Sequence, residues 1–116
     1  MSDARDVVER YHRAFGGKDF ATARSLLADD LDFRGPIDTF RSADDYLAAI
    51  QRLSSIVEGV EVERVIAEGD DVAVFYGLVT STPAGTAPVA EWYRVRDGKI
   101  AAIRVYFDAR PFAPPS

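Results

Sequence analysis

The sequence predicts an α+β domain, with three helices in its first half and a meander of antiparallel strands after them. Three observations carry this. Apolar residues recur at helical spacing up to about residue 54 and alternate with period two from about residue 60. Asp97-Gly98 joins the last two alternating runs, which is the strongest hairpin signal in the chain. A length of 116 residues with 47% apolar content fits one domain with a real core.

Residues 3–15 read as a helix, with Val8, Tyr11 and Phe15 on one face and Val7 and Ala14 beside them. Ser2 or Asp3 can cap its start, and Gly16-Gly17 ends it. A second helix is expected from about Phe20 to Ala28, with Asp19 as N-cap and Phe20, Ala23 and Leu27 on one face. Leu31-Asp32-Phe33 then reads as a strand that ends in a Gly35-Pro36 turn. Ser42 and Asp45 have capping-box spacing and open a third helix to about Ser54, with Tyr46, Leu47, Ile50 and Leu53 inward. Strands are expected at 60–68, 72–82, 88–96 and 99–108, with a turn at Gly69-Asp70-Asp71 and a loop from Pro83 to Thr86. The tail RPFAPPS is expected to be an irregular cover.

Composition excludes several classes of function. There is no cysteine, which removes disulfides, zinc–thiolate sites and thiol nucleophiles. A net charge of -5 argues against nucleic-acid binding. No stretch approaches the roughly 18 apolar residues of a membrane span. The start, MSDARDVVER, is too acidic and polar for a signal peptide, so a cytoplasmic protein is expected. Basic residues are arginine except Lys18 and Lys99, a usage that fits a GC-rich bacterial genome. With His12 as the one histidine, a metal site would have to be mostly carboxylate. Asp29, Asp30 and Asp32 cluster, but around a helix end and a turn, where solvated charges are expected; neither a metal nor a cofactor is expected.

Alternation sorts the strand residues into two faces. The expected inner set is Val72, Val74, Tyr76 and Leu78, then Val89, Glu91, Tyr93 and Val95, then Ile103, Val105 and Phe107. The outer set contains Ala73, Phe75 and Val79, with Trp92, Arg94, Arg104 and Tyr106. An apolar outer row on a central strand needs a cover, so a homodimer packed through the outer sheet face is expected. The alternative cover is the C-terminal tail.

The order of elements, with RYHRAFGGKDFATARSLLADD near the start and EWYRVRDGKIAAIRVYFD near the end, resembles the SnoaL-like branch of the NTF2-like superfamily. The resemblance covers nearly the whole chain. It implies an NTF2-like cone, with three N-terminal helices packed in a strongly curved mixed or antiparallel sheet. It does not imply one reaction, because that superfamily holds polyketide cyclases, ketosteroid isomerases, epoxide hydrolases, dehydratases and non-enzymatic binding proteins.

Glu91 is the most informative candidate. An ionised carboxylate inside an apolar cone is costly, so Glu91 must be protonated, paired or near water. Two readings stay open: a pocket acid, or a structural acid paired with Arg34 or Arg41. In the isomerase branch an acid at this place, there Asp, donates to a developing oxyanion, and the resemblance gives Tyr11 the second donor. The same resemblance puts the general base just before a proline in the loop after the first strand. Here that pair is Gly35-Pro36, so the base position is empty, and a missing base removes roughly 10²–10⁴-fold of rate. Asp38, downstream of the proline, is either a relocated base or an ordinary turn residue. His12, at the edge of the helix's apolar stripe, is either a proton carrier or structural. Epoxide hydrolases of this fold carry an Arg-x-Asp strand motif and a further strand Asp; the corresponding places hold Val89-x-Glu91 and Val105, which disfavours that reaction.

Phe15, Phe33, Tyr46, Val74, Tyr76, Tyr93, Ile103, Val105 and Phe107 are the expected wall of a pocket for a small hydrophobic ligand. The expected function is a cofactor-free acid–base enzyme of isomerase, cyclase or dehydratase type acting on a hydrophobic carbonyl compound. The alternative is a non-catalytic dimeric ligand-binding or accessory protein.

Overall fold

The structure, a computed structural model, describes residues 3–112. Its elements are α1 (Ala4–Gly16), α2 (Phe20–Ser25), β1 (Leu27–Arg34), β2 (Thr39–Phe40), α3 (Ala43–Leu53), a 3-10 turn (Ser54–Ile56), β3 (Val57–Glu68), β4 (Asp71–Thr80), β5 (Thr86–Arg96), β6 (Lys99–Phe107) and a last 3-10 turn (Arg110–Phe112).

Local chemistry sets most of these ends. The Asp3 side chain accepts from Asp6 N–H at the start of α1, Asp19 accepts from Thr22 N–H, and Ser42 accepts from Asp45 N–H. Ser2 and the tail beyond Phe112 lie outside the described residues. Asp97 and Gly98 take φ of 53° and 75°, the positive pair that a tight turn matching strand twist requires.

The strands form one six-stranded sheet in the order β2-β1-β6-β5-β4-β3. The β3–β6 run is an antiparallel meander, while β1 pairs in parallel with β6, so the sheet is mixed. Register shifts in β3 and between Arg94 and Val95 bend the sheet, which curves around the helices as a cone. Helix α1 packs across β3 to β6, and Tyr11 of α1, Tyr93, Leu27, Leu31, Ile100 and Ile103 are fully buried in the core.

Three expectations are corrected. The second helix stops at Ser25 rather than Ala28, because Leu27 pairs with Ile100 and Ile100 N–H donates to Leu26 O; sheet pairing wins over a short helical pattern. β3 begins at Val57, three residues earlier than the alternation suggested. The two-residue β2 carries no sequence period and was not expected. Asp29 and Asp30 are solvent-exposed as expected, and each also meets an arginine, Arg24 at 2.7 Å and Arg96 at 2.8 Å, while Asp32 is half-buried and pairs with Arg104 at 3.2 Å. Among the described residues, no helix is long and apolar enough to cross a membrane.

Candidate functional site

One cavity of about 380 Å³ opens between α1, α3 and the concave face of β4–β6. Its volume lies in the range of small-molecule sites. Phe15, Phe33, Phe40, Leu78, Val105 and Phe107 make much of its wall. The polar residues on it are Tyr11, Tyr46, Tyr76, Glu91 and Asp38, and among the described residues no Lys, Arg or His lines it. Tyr11, Tyr46, Tyr76 and Glu91 are buried, while residues 36–38 are exposed, so the polar cluster sits deep and the loop forms the mouth.

Glu91 lies mid-β5, between Val74 on β4 and Val105 on β6, and only 7% of it is exposed. No arginine or lysine pairs with it among the described residues; Arg34 turns to Asp32 at 3.6 Å instead. Burial pushes its carboxyl up to about 7, and hydrogen bonding from the Tyr76 and Tyr93 hydroxyls holds it from rising further. The reading of Glu91 as a structural acid paired with Arg34 or Arg41 therefore has no support in the geometry.

Tyr11 and Tyr46 share a hydrogen bond between their hydroxyls. Burial pushes the pKa of both well above the ordinary tyrosine value, and the Glu91 charge adds to it, so both stay neutral. Two hydroxyls with one mutual hydrogen bond leave one hydrogen to donate elsewhere, and both residues face the cavity. Phe33 and Phe40 flank Tyr46, with ring centroids 4.7 Å and 6.3 Å away, and hold it in place.

Asp38 lines the mouth. Gly35 N–H donates to its main-chain carbonyl at 2.9 Å, which closes the loop and brings Asp38 back over the opening. It is exposed, however, whereas Tyr11 is deep.

The structure does not bring every expected wall residue to the cavity. Val74, Tyr93 and Ile103 are on the inner face as alternation predicts, but they do not line it. Helix α1 fills that half of the cone, so only part of the inner face stays open. His12 also lies off this cavity: its Nε2 is 2.7 Å from the Tyr93 hydroxyl and 3.7 Å from Glu91 Oε1. Burial lowers the imidazole to about 4, so it is neutral at pH 7. Sequence reasoning missed Phe40, Ala49, Ile56 and Ala87 as wall residues. Phe40 and Ile56 sit in short elements with no period to read, whereas the alternation of β5 could have flagged Ala87.

Comparison with known proteins places this geometry in context. A family model described as the SnoaL-like domain matches residues 8–103. A protein of Kribbella flavida is 32% identical, with a TM-score of 0.89, over 97% of this chain and 92% of its own. An NTF2-like protein of unknown function from Cytophaga hutchinsonii is 24% identical, with a TM-score of 0.84, over 97% and 96%. An LEH-like epoxide hydrolase of M. tuberculosis is 25% identical, with a TM-score of 0.78, over 91% and 83%. No curated protein sequence matches the chain. The matched span takes in most of α1, the loop at the cavity mouth and the strand that carries Glu91, and on that basis the chain belongs to the SnoaL-like family of the NTF2-like fold.

Proposed function

We propose that this protein is a cofactor-independent acid–base enzyme, of isomerase, cyclase or dehydratase type, that acts on a neutral hydrophobic carbonyl compound. The observation that supports it is the convergence of one buried carboxyl and a hydroxyl pair deep in a largely apolar cavity that no Lys, Arg or His lines among the described residues. A carboxyl with a value of about 7 is matched to proton transfer at neutral pH. Ionised Glu91 takes a proton from the carbon beside the carbonyl, the C–H electron pair forms the enolate, and the free hydrogen of the Tyr11–Tyr46 pair donates to the developing oxyanion. Glu91 then returns the proton to the same or another carbon. In this reading Tyr11 keeps the donor role and Tyr46 joins it, while Glu91 carries the proton in place of Asp38 or His12. Anionic substrates are disfavoured because Glu91 and Asp38 are the charged side chains of the wall. Opening of an epoxide is disfavoured too, since Val89 and Val105 flank Glu91 where that chemistry needs polar groups.

Incubation with hydrophobic ketones in D₂O, followed by ¹H NMR, tests the proposal. Wild type is expected to exchange α-protons and Glu91→Gln to lose the exchange. Ketones that raise the melting temperature but never exchange would leave the binding-protein reading in its place.

The proposal includes a homodimer. Ile66, Phe75, Trp92 and Tyr106 are exposed on the outer sheet face, at 51%, 38%, 45% and 59%. Phe75, Ala90 and Tyr106 stand side by side across three strands, and Ala73 and Trp92 across two, so the apolar strip is continuous. A second copy covering that strip is the expected partner.

A further inference from the structure

A second groove, of about 490 Å³, lies between α1 and β3–β4 and shares no lining residue with the first cavity. Glu9, His12 and Arg13 line it from α1, with Gly59, Val60 and Val62 from β3. His12 is the residue that joins the two cavities. Its Nε2 is 2.7 Å from the Tyr93 hydroxyl, which in turn hydrogen-bonds the Glu91 carboxyl. Its Nδ1 is buried and has no hydrogen-bond partner among the described residues. A buried ring nitrogen without a partner calls for an explanation, because nearly all such atoms are satisfied by protein or by water. The Tyr76 ring, its centroid 4.9 Å away and edge-on, fixes the imidazole plane.

We propose that Tyr93 and His12 form a proton relay between Glu91 and this groove, with His12 as a positioning residue that acts through Tyr93. The proposal rests on Glu91 being the proton-transfer group of the reading above, but not on turnover. It gives Glu91 a route to water that a ligand filling the first cavity does not block. When Glu91 is neutral, its O–H donates to the Tyr93 oxygen, Tyr93 donates to Nε2, and the imidazole proton sits on Nδ1. When Glu91 ionises, its proton passes to Tyr93, the Tyr93 proton passes to Nε2, and the Nδ1 proton leaves to a water that enters from the groove to fill the unmet hydrogen bond at buried Nδ1. One proton is released, the imidazole stays neutral throughout, and the reverse movement recharges Glu91. The low proton affinity of buried His12 fits a tautomer change rather than an imidazolium.

The groups that face the relay do not mimic this effect. Tyr76 on β4, Tyr46 on α3 and Tyr11 on α1 are buried phenols held neutral. Glu9 and Arg13 of α1 line the groove, and the β3 wall is apolar. Glu91 is therefore the group whose ionisation sets the tautomer.

The test is ¹⁵N–¹H long-range NMR of the full chain labelled at histidine, where His12 is the one signal. The expected result is mostly Nδ1–H at about pH 5.5 and mostly Nε2–H at about pH 8.5, with the change centred on the Glu91 titration. Glu91→Gln and Tyr93→Phe are each expected to abolish the change. One tautomer across the range in wild type overturns the relay, and a change that persists in Tyr93→Phe overturns the route through Tyr93. A tautomer change in a protein that exchanges no ketone protons supports the relay and sinks the enzyme reading. Ketone exchange without a tautomer change sinks the relay alone.

Discussion

Glu91 Oε1 lies 3.7 Å from His12 Nε2, yet the two do not form an ion pair near neutral pH. Burial moves them in opposite senses, the carboxyl up to about 7 and the imidazole down to about 4. Between those values both are neutral, and this sets how stability depends on pH. A raised acid binds its proton more tightly folded than unfolded, so Glu91 stability is full below its ordinary value of 4.5 and is lost as pH rises through about 7. A lowered imidazole does the reverse: His12 stability is full above 6.5 and is lost as pH falls through about 4. Over the shared window the two slopes cancel.

Wild type is therefore expected to show nearly flat stability from about pH 4.5 to 6.5. Glu91→Gln removes one slope, so its stability should rise by about 3 kcal/mol from pH 4 to 6.5. His12→Gln removes the other and should fall by about 3 kcal/mol from pH 4.5 to 7. Urea unfolding of the three proteins across this range checks the signs, and parallel profiles would refute the assignment.

The Tyr11–Tyr46 hydrogen bond gives a second expectation. Tyr11→Phe or Tyr46→Phe each leaves a buried hydroxyl unpaired, at a cost of about 1–3 kcal/mol. The double variant removes both hydroxyls and should cost less than the sum of the singles, as a thermodynamic cycle will show. In an active assay each single variant should lose about 10²–10³-fold in kcat.

Asp38 offers a sharper choice. Its side chain is exposed at the mouth, and its part in the loop is made by its main-chain carbonyl. Asp38→Asn should keep stability within about 0.5 kcal/mol and activity within about tenfold. A loss of 10²–10⁴-fold would mean instead that Asp38 is a relocated base.

Trp92 tests the dimer. The residue is 45% exposed, and its indole N–H donates to Asp71 Oδ1 at 3.0 Å. Trp92→Glu places a charge in the apolar strip and should turn a dimer into a monomer by native mass spectrometry. A wild-type monomer at micromolar concentration would remove the dimer from the proposal.

The sequence by itself determined the plan of the fold. Helical spacing placed Tyr11 on the buried face of α1 and period two placed Glu91 on the inner face of β5, because side-chain direction follows directly from backbone repeat. Capping chemistry at Asp19 and Ser42 fixed two helix starts, and Asp97-Gly98 fixed the last hairpin. The end of α2 and the start of β1 were not legible, since the Leu27–Ile100 pairing that decides them spans most of the chain. The same holds for the site. Alternation puts Val74, Tyr93 and Ile103 inside with Tyr76 and Val105, but only the way α1 crosses the sheet decides which of them meet open space. His12 is one helical position from Tyr11, yet it opens on another groove. Which neighbours surround a residue depends on long-range packing, and so the tertiary structure alone decided that Glu91 has hydroxyls, and no arginine, for company.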